Sequence, residues 1–110
     1  MVSLIGIDVN DVLAVLTPGI WDRDWYLEQY ADVAESGEDP LLHYLVCGWR
    51  ELRSPGGGFD ARWYSAQYGV DVVKDHPAVH FVKEGRAAGL RPRADAHPSD
   101  GVALDVVSGR

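Results

Sequence analysis

The feature that most constrains this chain is that it contains one pattern twice. Trp21, Asp22, Trp25, Tyr26, Gln29 and Tyr30 recur as Phe59, Asp60, Trp63, Tyr64, Gln67 and Tyr68, a register of 38 residues. After a single deletion the register becomes 37, and Pro40, His43, Tyr44, Gly48 and Pro55 recur as Pro77, His80, Phe81, Gly85 and Pro92. A period in the range of 20 to 50 residues marks a stack of supersecondary units, each too small to bury its apolar face alone. The fold must therefore be the same short unit built twice, Trp21 to Pro55 and Phe59 to Pro92. The intervening Ala31 to Asp39 and Gly69 to His76 align poorly.

The residue pattern inside a unit predicts two short helices. Asp22 and Asp60 stand as N-caps, with Trp21 and Phe59 before them and Tyr26 and Tyr64 four residues on, the spacing of a hydrophobic staple. Tyr26, Tyr30 and Val33 at i, i+4 and i+7 predict one helix that stops by Gly37. Asp39 followed by Pro40 predicts the cap and first position of a second helix, whose stripe of Leu41, Tyr44, Leu45 and Gly48 ends at Gly48. Its counterpart runs from Pro77 to about Glu84 and ends at Gly85. The resulting architecture is all-α: an N-terminal arm over 1–20, a first repeat over 21–55, a glycine linker over 56–58, a second repeat over 59–92 and an extended tail over 93–110. Within the arm, Asp8 to Leu16 offers a short helix and Met1 to Ile7 an extended stretch. In the tail, Val102, Leu104 and Val106 alternate as a short strand would.

Charge and composition exclude several classes of function. Seventeen acids against ten bases give a net charge of -7, which repels phosphate backbones and anionic lipid, so neither nucleic acid nor membrane is an expected partner. The charge is uneven: residues 1–58 hold ten acids and three bases, residues 59–93 four acids and six bases, which makes head-to-tail self-contact electrostatically plausible. Cys47 is alone, which rules out an intrachain disulfide and a cysteine metal framework and suits a small buried hydrophobe. Met1 to Ile20 lacks Lys and Arg and is interrupted by Asp8, Asn10 and Asp11, unlike a secretory signal or a membrane span, so the expected site of synthesis is the cytoplasm.

No residue set reads as catalytic. Asp22, Asp24 and Asp60 are explained by helix capping and the helix dipole better than by the paired carboxyls of a glycosidase. His43 and His80 occupy equivalent positions, but the ligand count of a metal site is unmade, and packing or a hydrogen bond within the hairpin is the simpler role. Asp8 to Asp11 lacks the glycine and later acid of a calcium loop, and Pro55 to Gly58 is not followed by the Lys and Thr of a phosphate cradle. The expectation is a protein without enzymatic activity, metal or cofactor. The recurring aromatics Trp25, Tyr26, Tyr30, Trp63, Tyr64 and Tyr68 read as the repeat core, because a core recurs in register. Trp49 does not recur; its counterpart is Arg86. With Arg50 and Arg53 nearby, it has the strongest claim to an exposed ligand contact.

The string Trp21-Asp22, Trp25-Tyr26, Gln29-Tyr30, Asp32-Val33-Ala34, Gly37, Asp39-Pro40-Leu41, His43-Tyr44-Leu45, Gly48, Arg53 and Pro55 resembles a short helical tandem repeat of bacterial proteins. That repeat occurs beside glycosyltransferase domains of rhamnan and capsule synthesis, in calcium-binding surface proteins, and in small proteins that accompany phage-like particles. The resemblance covers residues 21–92 and carries no catalytic or binding residues with it. It departs from the usual ending, Gly-x-x-Glu-Gly-Arg-x-Pro: the first unit has Leu52 for the second glycine, and the second has Ala88 and Leu90 for the acid and the arginine. The resemblance implies a recognition module for bacterial surface polysaccharide within a larger assembly such as a phage-like particle, and the non-recurring Trp49 with Arg50 and Arg53 at the end of the first unit are the expected glycan contacts. The alternative is a structural adaptor that joins partner subunits through residues 1–7 and 101–110. In either case an oligomer or complex subunit is expected.

Overall fold

The computed structural model describes residues 7–95. The expected strand at Val102 to Val106, the extended start of the chain and the partner contacts through 101–110 and most of 1–7 lie outside those residues. Helices α1 (Val9–Val15), α2 (Arg23–Gln29), α3 (Ala31–Ser36), α4 (Pro40–His43), α5 (Ala61–Tyr68) and α6 (Pro77–His80) follow one another, and no strand forms among the described residues. The fold is all-α.

Each repeat closes on itself. The Asp22 amide donates to the Pro55 carbonyl at 3.0 Å and the Asp60 amide to the Pro92 carbonyl at 2.9 Å, so the first residues of a unit are bonded to its last. The same two aspartates cap α2 and α5 through their side chains, Asp22 Oδ1 accepting from the Trp25 amide and Asp60 Oδ1 from the Trp63 amide, both at 3.1 Å. Asp39 caps α4 by accepting from the amides of Leu41 and Leu42 at 2.9 and 3.2 Å. These bonds satisfy amides that have no partner inside the helix.

Two helical details and the packing of the glycine linker differ from what the sequence suggests. The helix expected to run unbroken to Gly37 divides at Tyr30, whose backbone (φ -119°, ψ 86°) leaves the helical region. The Tyr30 hydroxyl accepts the Ser54 amide at 2.8 Å, as the Tyr68 hydroxyl accepts the Arg91 amide at 3.0 Å, yet Tyr68 stays inside α5 and the break belongs to the first unit alone. The second helix does not stop at Gly48. It widens into a π turn over Tyr44–Gly48 and then tightens into a 3-10 turn over Trp49–Glu51. The second unit widens the same way over Phe81–Gly85. Third, the joint at Pro55 to Gly58 is not loose: Pro55 is fully buried, and a Cβ on Gly56 or Gly58 would lie 2.6 Å from the carbonyl of Ile20 or Gly19.

Two cores interlock. The first gathers Tyr26, Val33, Tyr44 and Leu45 of the first repeat with Ala14 and Val15 of α1 and Val79 of the second repeat. The second gathers Phe59, Ala61, Tyr64, Ala78 and Phe81 with Ile20, which precedes the first repeat. The second unit thus lends Val79 to the first core, and the N-terminal arm lends Ile20 to the second. The N-terminal region is accordingly part of the body: α1, capped by Asp8, seats Val15 at zero exposure and packs on α6. Its other side presents Val9, Leu13 and Leu16, 48%, 64% and 47% exposed, at i, i+4 and i+7.

Candidate functional site

Because the units are equivalent, the features that do not recur are the ones to examine for function. The recurrent machinery is an aromatic cage. Trp21 and Tyr26 lie 5.1 Å apart, as do Phe59 and Tyr64 at 5.0 Å; Tyr26 and Tyr44 meet edge to face at 5.9 Å, as do Tyr64 and Phe81 at 5.7 Å. Tyr26 and Tyr64 have no exposed surface, while Trp25 and Trp63 are half-buried and meet Tyr30 and Tyr68 edge-on.

His43 and His80 belong to this cage. The Tyr26 hydroxyl shares a hydrogen bond with His43 Nδ1 at 2.9 Å, and the Tyr64 hydroxyl with His80 Nδ1 at 2.7 Å. Burial pushes both phenols well above their ordinary range, so each stays protonated. The π turn explains how the pair fits. Its i to i+5 winding sets Gly48 over His43 and Gly85 over His80, and a Cβ on either glycine would collide with the tyrosine hydroxyl. Cys47, also half-buried, has its thiol 3.5 Å from the His43 carbonyl and pushed up by burial, which leaves it a poor nucleophile.

Trp49, Arg50 and Arg53 come together at the end of the first repeat, and each has an intramolecular partner. Trp49 is half-buried; its Nε1 donates to the Leu45 carbonyl at 3.0 Å, and its ring stacks on His76 at 4.4 Å and 17°. Arg50 donates to the Val46 carbonyl at 2.7 Å with its guanidinium 4.7 Å from the Trp49 ring centre. These two side chains supply donors to carbonyls near the helix end. Arg53 binds both oxygens of Asp32 at 2.9 and 2.8 Å and Glu51 at 2.8 Å, and lies 4.8 Å over Tyr30. That network ties the end of the unit back to α3 and holds the Asp32 carboxyl below its ordinary range, chiefly through the Arg53 hydrogen bonds.

Sequence reasoning missed two features. One is His76. In the register of 37 it stands where the first unit has the capping Asp39, and it makes no cap. Its ring instead turns into the seam between repeats, against Trp49 and edge-on to Tyr44 at 5.5 Å, with neither ring nitrogen hydrogen-bonded. The lost aspartate was the available signal. The other is an inter-repeat cleft of about 470 Å³ bordered by Trp25, Gln29, Leu52, Asp60, Arg62 and Arg93. Gln29 and Arg62 are exposed on its rim, where Arg62 spends one donor on the Glu51 carbonyl at 3.3 Å. No sequence signal brings these together, because the cleft is made by the packing of one unit on the next.

Among the described residues no three His, Cys, Asp or Glu side chains converge as a metal site, and no helix is long and apolar enough to cross a membrane. No protein-family model, curated protein or solved structure matches the chain.

Proposed function

We propose that this chain is a non-enzymatic recognition module for bacterial surface polysaccharide, working as one component of a larger assembly such as a phage-like particle. The observation that carries the reading is the inter-repeat cleft, which pairs a half-buried indole, Trp25, with rim hydrogen-bonding groups on Gln29 and Arg62. Pyranose rings offer one apolar face and a fringe of hydroxyls, and recognition sites are concave and apolar with a few placed polar groups. The likeness of residues 21–92 to a repeat found beside capsule and rhamnan synthases points to the same ligand class. Trp49, Arg50 and Arg53 lie at the end of the first unit, each with an intramolecular partner, and Trp49 keeps part of its surface exposed.

A cleft of this kind on a single copy binds in the range of about millimolar to high micromolar, so attachment depends on many copies displayed together. An immobilised array should retain capsulated host cells and not their bare counterparts, and a double variant Gln29→Ala, Arg62→Ala should lose that retention while keeping its helical spectrum. Equal retention of capsulated and bare cells refutes the proposal.

The structural-adaptor reading has its own observation, the outward stripe of Val9, Leu13 and Leu16 on α1. Aligned exposed apolar side chains favour contact with a partner subunit of complementary apolar surface. Leu13→Gln separates the two: it should weaken assembly and leave cell retention by an immobilised array unchanged if both readings hold, whereas an adaptor without a glycan site retains no cells at all.

A further inference from the structure

His76 combines features rarely found together in a side chain without a task. It is an ionisable ring 8% exposed, no protein group hydrogen-bonds either nitrogen, and it occupies the seam through which the two repeats touch. Its partners there are Trp49, stacked on it, and Tyr44, edge-on to it, both from the first repeat. We propose that His76 is a proton-sensitive latch: neutral, it holds Trp49 and the end of the first repeat against the second, and on protonation it releases Trp49 to solvent.

Within the seam itself the surroundings oppose a positive charge. Arg50 already places its guanidinium over the indole that His76 stacks on, so the attraction of that ring for a cation is taken. His76 precedes Pro77 at the start of α6, where the orphan amides carry partial positive charge. The open side of the seam is a recess of about 280 Å³ that His76 shares with Asp11 of α1, Lys74 and Asp75 of the preceding turn, and His80, Lys83 and Glu84 of α6 and its π extension. Its three acids exceed its two lysines by one, but none of the three acids reaches a His76 nitrogen. Tyr44 is uncharged, with burial holding its phenol far above the usual value. Burial is the dominant cause and Arg50 a lesser one in pushing the His76 pKa down to about 3, its own backbone offsetting part of the effect.

The sign follows from linkage. The imidazole binds its proton more readily once the seam is open, so the closed seam is fully favoured above the ordinary histidine pKa of about 6.5 and loses ground as pH falls below it. The closed-to-open ratio should drop ~10-fold per pH unit across that window.

The test compares wild type with His76→Phe, which keeps a flat ring against Trp49 and cannot titrate. Denaturant unfolding at pH 7.5 and pH 5.0 should show the wild-type equilibrium constant losing ~30-fold more stability than the variant's, the factor for about 1.5 pH units below 6.5. In the wild type alone, tryptophan emission should shift to the red at acid pH before helical dichroism is lost. In native protein the His76 ring protons should stay at their neutral positions at pH 5. Parallel pH profiles for the two proteins, a His76 ring titrating near 6.5 in the folded state, or emission and helicity lost together at every pH would each overturn the latch. Should His76→Phe fail to fold, the ring-proton titration and the order of the two optical signals in the wild type decide alone.

Discussion

The two repeats share their hydrogen bonds almost atom for atom, yet solve the end of the unit with opposite chemistry. In the first, Arg53 grips Asp32 and Glu51 and covers Tyr30. In the second, Leu90 replaces that arginine and packs by Gly85 within the second core, while Arg91 lies 5.4 Å over Trp63. An ion network on one side and an aliphatic contact on the other hold the same backbone, because both units still bond residue 53 or 90 to the carbonyl of Gly48 or Gly85 at 3.0 or 2.9 Å. The difference teaches that the backbone closure and the tyrosine cage define the unit, and the side chains at its end are free to vary.

The equivalence can be broken most severely at the cage. Tyr26→Ala and Tyr64→Ala should each cost about 3 to 5 kcal/mol, the usual penalty for emptying a buried aromatic site, and should abolish cooperative melting in a domain of this size. If one of the pair proves tolerable, the units are not energetically equivalent despite their common geometry. Next in size, Gly48→Ala and Gly85→Ala push a methyl into the tyrosine hydroxyl and should cost about 1 to 3 kcal/mol by denaturant titration, against the smaller effect expected of glycine replaced at an uncrowded site. A neutral result at both would remove the close approach as the reason for glycine there.

Those glycines show how much of the molecule could be read beforehand. The repeat boundaries, the caps Asp22, Asp39 and Asp60 and the helical class rest on local chemistry, which sequence displays directly. The π turns do not: a glycine ending one helix and a glycine lying under a tyrosine hydroxyl from another look identical in sequence. Tyr30 satisfied helical periodicity but breaks the helix, whereas its counterpart Tyr68, with the same kind of hydroxyl contact to a distant amide, stays helical. Trp49 was legible as an odd residue and illegible as the stacking partner of His76, because that contact exists only once two units are packed. The Asp32 partner of Arg53 was equally illegible, because it lies in the poorly aligned stretch between the two recurring halves.

Smaller effects sharpen the comparison. Asp22→Ala and Asp60→Ala each remove one cap bond of 3.1 Å and should cost about 0.5 to 2 kcal/mol, by equal amounts in thermal melts. Unequal losses would show that one unit leans on its neighbour for the helix start. At the unit end, Leu52 has φ 60° where its counterpart Gly89 has φ 84°. Leu52→Gly should therefore be neutral or stabilising, by no more than about 1 kcal/mol, whereas Gly89→Leu should cost about 1 to 2 kcal/mol for forcing a side chain into the left-handed region. Last, Arg53→Leu copies the second unit's solution into the first. The Asp32 carboxyl, held low by Arg53, contributes stability above its ordinary titration range that is lost as pH falls through it, so the variant should show a shallower acid dependence there and an Asp32 resonance titrating at a higher pH. An unchanged Asp32 titration would mean that the ion network does not persist in solution.

The amide of Asp22 bonded to the carbonyl of Pro55, and that of Asp60 to Pro92, also bears on how such a chain can grow. A segment that leaves its own structure beside the point where it entered behaves as a bead on a string. Copying it in tandem asks the new bead to reach no distant anchor, and deleting it leaves two ends already adjacent. Only the seam must be renegotiated at each copy, and there a unit needs an indole at one end and a flat ring at the start of its last helix. A third unit inserted after Pro92 would therefore inherit its shape outright, and would inherit acid sensitivity only if it brought the titratable ring and the second unit exchanged Arg86 for an indole.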